Sequence, residues 1–168
     1  MTIQNFNIYT AKGYAGDLVD SGPRVVQTGV LTSASAGFGK AMSRDAGTVD
    51  RGVKLADPVV AGATTASNTD LFAISQREYN HEAGVRPSTG NDTTYLVTES
   101  VSLIRDGYLY VLLSGATAVV AGDNLNVDIA TGLFNNETVS ATNPIANNVV
   151  ADEAGLAGEV IKVRILLK

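Results

Sequence analysis

Cysteine and tryptophan are both absent from the 168 residues. Without cysteine there is no disulfide framework, no thiolate nucleophile and no cysteine-bound metal, so toughness must come from packing or assembly. Without tryptophan, and with aromatics at only 6%, the chain lacks the clusters that stack on sugar rings, which argues against a carbohydrate-binding module. Basic residues are also in short supply: 12 Lys and Arg stand against 17 Asp and Glu, for a net charge of −5. No Lys/Arg stripe exists to neutralise phosphates, so nucleic acid is excluded as a partner. Arg77, Arg86 and Arg105 each stand next to or near an acid, the pattern of a solvated mixed surface.

Long apolar runs are missing as well. The longest uncharged stretch, between Asp106 and Asp123, is broken by Gly107, Tyr108, Tyr110, Ser114, Gly115 and Thr117, and is too polar to span a membrane. Met1 to Thr10 carry neither a basic segment nor an apolar run, so no secretory signal is expected. A soluble protein follows, acting in the cytoplasm or in something assembled there.

Catalytic groups are equally sparse. The single histidine, His81, lies between Asn80 and Glu82 with no metal-ligand spacing around it, and reads as an exposed loop residue. The nearest carboxylate pairs, Asp123 with Asp128 and Asp17 with Asp20, suit local hydrogen bonding in turns better than general acid–base work. Gly13, Gly16 and Gly22 lack the Gly-Lys-Ser/Thr sequence and strand-to-helix setting of a phosphate loop, so they read as turns. The triplets at Asn91 and Asn136 match the glycosylation pattern but carry little meaning without an export signal. No catalytic residue, cofactor or metal site is expected.

What remains is 45% hydrophobic sequence arranged as short Val-, Leu-, Ile- and Thr-rich runs, punctuated by Gly, Asp, Asn and Pro. That is the pattern of an all-β protein: a single β-barrel or β-sandwich domain over 23–168, with an extended N-terminal arm over 1–22 and few or no helices. Strands are predicted at 24–31, 37–43, 49–55, 117–121, 125–129 and 160–167. Asp106-Gly107 predicts a two-residue hairpin joining 100–105 to 108–113, whose two apolar faces mark a central strand. Over 71–76 a strand is favoured above a helical turn. Residues 56–69 read as a loop or short edge strands, and 79–95 as a long surface loop of the kind that carries function. Val-Val-Ala-Gly occurs at 59–62 and again at 119–122; so Val-, Ala- and Gly-rich a chain produces such repeats by chance, and no longer period is visible.

The order of these features carries a resemblance. Tyr14 to Pro23, Gly37 to Ala41, Leu71 to Ser75, Tyr108 to Gly115, Ala121 to Asp128 and Thr131 to Phe134 together resemble the capsid cement or head-decoration proteins of tailed bacteriophages. The likeness runs over 14–167 and departs most at 56–69 and 79–95. It implies a subunit that oligomerises, as a trimer or dimer, on the exterior of an icosahedral head assembled in the host cytoplasm. There it clamps adjacent copies of the major capsid protein. A tail or fibre component is the nearest alternative. For the contacts, Phe6, Ile8 and Tyr9 are expected to add a strand from the arm to a neighbouring sheet. Tyr79, Arg86 and Tyr95 are the expected anchors of the 79–95 loop, because Tyr and Arg are favoured at binding hot spots.

Overall fold

The computed structural model describes residues 13–19, 22–32, 35–45, 51–55, 71–78 and 94–166, and among these there is no helix. The strands in chain order are β1 Val25–Leu31, β2 Ala36–Gly37, β3 Ala41–Arg44, β4 Gly52–Leu55, β5 Ala73–Ser75, β6 Thr94–Tyr95, β7 Ser100–Leu112, β8 Asn124–Asp128, β9 Leu133–Asn135, β10 Ile145–Ala151 and β11 Val160–Ile165. Nine of them form one sheet in the order β1-β4-β3-β5-β7-β11-β10-β8-β9, and β1 also pairs with β7. That last pairing closes β1, β4, β3, β5 and β7 into a ring. The other strands of that sheet, β11, β10, β8 and β9, curl into a second lobe, brought round to the end of β7 by a bridge between Leu113 and Phe134, while β2 and β6 pair with each other beside the first ring. The all-β expectation holds, with two rings sharing one strand.

Each ring has its own apolar filling. Leu31, Met42, Val53, Val101 and Leu103 fill the first, where the Phe38 and Tyr95 rings meet edge to face at 5.3 Å. Leu109, Val111, Leu125, Val127, Phe134, Ile161, Val163 and Ile165 fill the second. In β11 the alternation is clean: Ile161, Val163 and Ile165 are buried, while Arg164 is exposed. Aliphatic residues carry both cores, as the scarcity of aromatics requires.

The predicted hairpin at Asp106-Gly107 is corrected. Here β7 continues for 13 residues, because Asp106 pairs with Val25 and Gly107 with Ile165, so both residues already have ladder partners. Gly107 takes φ 129°, and a Cβ there would sit 3.1 Å from that of Arg24. Just before it, the ladder to β1 slips by one residue at Arg105, between Ile104 and Asp106, and this bulge shifts the phase of the alternation. Ile104, an even-numbered position, and Leu109 and Val111, odd-numbered ones, all join the second core. The bulge at Arg105 and the kink at Gly107 together hand the strand from one ring to the other without exposing either apolar set.

Other boundaries move for local reasons. The expected strand at 37–43 is interrupted by a tight turn at Phe38-Gly39, which separates β2 from β3. At 71–76 the strand is real, as β5. The expected strand at 117–121 shrinks to one bridge between Val119 and Gly155. β10 was not expected, because Asn147-Asn148 breaks its apolar run. Asn148 is 2% exposed, and its side-chain amide substitutes for a strand: Oδ1 accepts from Leu71 N at 2.7 Å while Nδ2 donates to Leu71 O at 2.8 Å and Leu166 O at 3.0 Å. The 56–69 segment lies outside the described residues.

Candidate interaction surfaces

Four turns in the described chain share one construction. They are Tyr14-Ala15-Gly16-Asp17, Leu96-Val97-Thr98-Glu99, Val120-Ala121-Gly122-Asp123 and Leu156-Ala157-Gly158-Glu159. In each, the third residue has the positive φ of a type II turn: 85° at Gly16, 73° at Thr98, 96° at Gly122 and 80° at Gly158. In each, the fourth residue's carboxylate accepts from the first residue's N–H, at 2.8, 2.7, 2.9 and 2.9 Å in chain order. The third and fourth residues then sit opposite a single strand residue as a β-bulge. Gly16 N donates to Tyr110 O and Tyr110 N to Asp17 O, and the same exchange recurs at Leu31, Ala151 and Leu113 for the other three turns.

The result is a stiff tip that begins on a solvent-facing apolar side chain. Tyr14 is 70% exposed, Leu96 41%, Val120 60% and Leu156 59%. Thr98 is the one non-glycine in the third position. Relieving its left-handed backbone by Thr98→Gly is expected to raise stability by about 1 kcal/mol, read from the urea midpoint.

These tips lie at both ends of β7. The Leu96 turn leads directly into its start, where Val97 is also exposed, and the Leu156 turn bonds to Leu113, just past its finish. At about 3.3 Å per residue the strand sets its two ends at most on the order of 40 Å apart. The far end is further stiffened by Glu137, whose carboxylate accepts from Thr117 N at 2.7 Å and from Ala116 N. Those two backbone donors hold the Glu137 carboxyl below the usual carboxylate range.

Outside the cores, cations stack on aromatic rings. Lys162 lies 4.9 Å from the Tyr108 ring and pairs with Asp152 at 2.6 Å, which raises its pKa. Arg44 and Arg105 both lie over Phe72, at 4.8 and 4.7 Å, and Arg77 covers Tyr14 at 4.1 Å. A hollow of about 430 Å³ opens on the second ring beside Tyr108, Gly122, Val150 and Arg164.

Of the residues singled out from the sequence, Phe6, Ile8, Tyr9, Tyr79, Arg86 and His81 lie outside the described residues. Tyr95 is corrected: it is fully buried in the first core, and its hydroxyl donates to Gln76 O at 2.6 Å. Burial pushes its phenol pKa up, so it packs the ring and is not a surface anchor. The part of the expected arm that is described is docked on its own sheet. Leu18 bridges to Leu109, and Gly13 lies so close to the Tyr110 ring that a Cβ would meet it at 2.5 Å.

Of the carboxylates considered for catalysis, Asp20 lies outside the described residues and the other three serve turns. Asp123 accepts from Val120 N and from Asn136 Nδ2, whereas Asp128, at the other end of β8, accepts from Ala130 N and the Thr131 hydroxyl. Asp17 pins the Tyr14 turn and pairs with Arg77 at 3.6 Å. Among the described residues no group of three or more His, Cys, Asp or Glu is placed to hold a metal ion.

The family model described as structural cement protein (E217 gp24/Pam3 gp6) matches residues 3–166. A chain from the capsid of Myoviridae phage XM1 superposes with a TM-score of 0.65 at 15% identity, covering 95% of this chain and 94% of that one, so the fold is shared. The N base of the head fiber gp8.5 of bacteriophage phi29 aligns at a TM-score of 0.44 and 10% identity, over 86% of this chain and 95% of that one. No curated protein sequence matches. With nearly its whole length inside the family model, the chain belongs to the phage structural cement proteins and is a structural component of a phage capsid.

Proposed function

We propose that this protein binds the outer surface of a phage head and bridges neighbouring major capsid protein subunits, working as a homo-oligomer, a dimer or trimer. One observation supports bridging above all: one strand, β7, carries a stiff, apolar-tipped turn at each end, the Leu96 turn leading into it and the Leu156 turn bonded just past it at Leu113. A molecule that grips at two points gains about 10²- to 10⁴-fold in avidity over either contact alone, without any one contact being strong. Each footprint then needs roughly 1,000 Å² or more to persist. No catalytic step enters this role.

The arm contributes a third hold in this proposal, with Phe6, Ile8 and Tyr9 adding a strand to a neighbouring subunit. Tyr79 and Arg86 supply polar contacts from their loop. Removal of residues 1–12 tests this part. The truncated protein is expected to keep its melting temperature, because it retains the contacts of Gly13 with Tyr110 and of Leu18 with Leu109. It is also expected to decorate heads poorly, and undiminished decoration would discard the arm contact. For the reading as a whole, stoichiometric co-sedimentation of the purified protein with assembled heads is the deciding measurement. Recovery with tails instead of heads would replace it by the tail-component alternative.

A further inference from the structure

Two of the four apolar tips stand side by side. Val119 and Gly155 pair through both backbone bonds, at 2.9 and 3.1 Å, and Val120 and Leu156 each follow by one residue. Since Val119 and Gly155 are buried, their successors face outward together as diagonal neighbours. The turns also project clear of the fold, because a Cβ at Gly122 or Gly158 would meet nothing within 4 Å. Tyr14, by contrast, is more exposed but already covered by Arg77.

We infer that Val120 and Leu156 form the docking patch of the far end, and that its occupant is an apolar site on the major capsid protein rimmed by lysine or arginine. This rests on the bridging role proposed above. The choice of occupant follows from charge. The three segments that build this end, 113–123, 136–139 and 151–159, hold Asp123, Glu137, Asp152, Glu153 and Glu159 and no Lys or Arg, and the one cation reaching them, Lys162 of β11 on Asp152, leaves the end net acidic. A two-fold contact between two copies of this end would set those acids against one another, whereas a basic rim complements them. Rigidity favours the same site. Val120 and Leu156 are short side chains on backbone already fixed by paired hydrogen bonds, so little conformational freedom remains to be lost on binding.

The test is co-sedimentation with undecorated heads, at low and at high salt, for the wild type and for the double variant Val120→Ser/Leu156→Ser. Apparent affinity is expected to fall roughly tenfold or more with an unchanged melting temperature, since truncating paired hot-spot residues has effects of that order. Val120→Ile/Leu156→Met is expected to restore binding. Val120→Thr, which keeps the branched shape, serves if the double variant folds poorly. Glu153→Gln is expected to weaken binding at low salt and to change it little at high salt. Wild-type affinity in the Ser/Ser variant overturns the patch while leaving bridging intact. A wild-type protein that does not sediment with heads at all removes the reading beneath it. Loss of self-association in the Ser/Ser variant, seen by sedimentation velocity, makes a second copy the occupant and overturns the assignment to capsid protein. An unchanged Glu153→Gln variant removes the basic rim.

Discussion

Replacing Asn148 by alanine is expected to destabilise the protein by about 3 kcal/mol, lowering the denaturant midpoint while native head binding, where still folded, stays unchanged. The reason is the number of groups left without partners. Asn148 lies on β10 inside the second lobe and satisfies both the N–H and the C=O of Leu71 as well as the C=O of Leu166. Leu71 is itself 5% exposed, so water cannot replace the lost bonds. A buried donor or acceptor left unmade costs about 1–3 kcal/mol, which far exceeds the gain from one net hydrogen bond. Asn148→Asp separates geometry from polarity. It keeps the acceptor for Leu71 N but turns a second carboxylate oxygen toward two carbonyls, so its folded pKa is raised. The sign then follows: below the unfolded Asp value near pH 4 both states are protonated and the penalty is smallest, and it grows as pH rises toward the folded pKa. Urea melts of Asn148→Asp and Asn148→Ala at several pH values check this, with the alanine variant as the control for general acid effects. An Asn148→Ala midpoint within error of wild type contradicts the assignment.

Gly16→Ala is the second large effect, expected at about 3 kcal/mol or more. Gly16 sits at φ 85°, where any side chain is strained, and its missing Cβ would lie 2.8 Å from Arg77 N, 2.8 Å from Phe38 Cβ and 2.9 Å from Gly39 N. Two of these are backbone atoms that no rotamer change can move. Gly39, at φ 67°, has the reciprocal problem against Gly16 N at 2.8 Å, so the two glycines let two chain segments touch. Overpacking alone costs about 1–3 kcal/mol, and the unfavourable φ adds about 1–2. Gly122→Ala provides the contrast. It shares the positive φ but meets open space, so only the backbone penalty remains. Thermal unfolding of the pair should therefore show a large drop for Gly16→Ala and a small one for Gly122→Ala; equal drops would mean the close approach is absent in solution.

How much of this was legible beforehand depended on whether the signal was local. The final strand announced itself through Ile161, Lys162, Val163, Arg164 and Ile165, because period-two alternation is a property of neighbours in sequence. The apolar bulk on both faces of 108–113 likewise marked a central strand. Asp106-Gly107 misled, since the dipeptide specifies only that the backbone bends, and distant Val25 and Ile165 decided that it would bend within a ladder. Tyr95 misled for a related reason: a tyrosine at the end of a polar loop looks like an anchor until Phe38 and Gln76 arrive from elsewhere in the chain. β10 stayed hidden because its asparagine bonds to a backbone 77 residues away. The candidate surface was half visible. Val-Ala-Gly at 120–122 drew notice as a fragment of a chance repeat, yet the relevant unit is the apolar residue, spacer, glycine and acid at 120–123. That unit recurs at 14–17 and 156–159, with threonine for glycine at 96–99, and the carboxylate was its missing element.

The strand common to both lobes has a mechanical consequence. A tug applied between the Leu96 tip and the Leu156 tip runs along the β7 backbone through both lobes and passes to the Leu156 turn across the bonds at Leu113 and the β7–β11 ladder. To yield, the molecule has to slide β7 against β11 over Val160 to Ile165, breaking many parallel-loaded bonds at once instead of one after another. Load of that kind is resisted in shear, so the protein is built as a tie rod whose grips should let go before its shaft does.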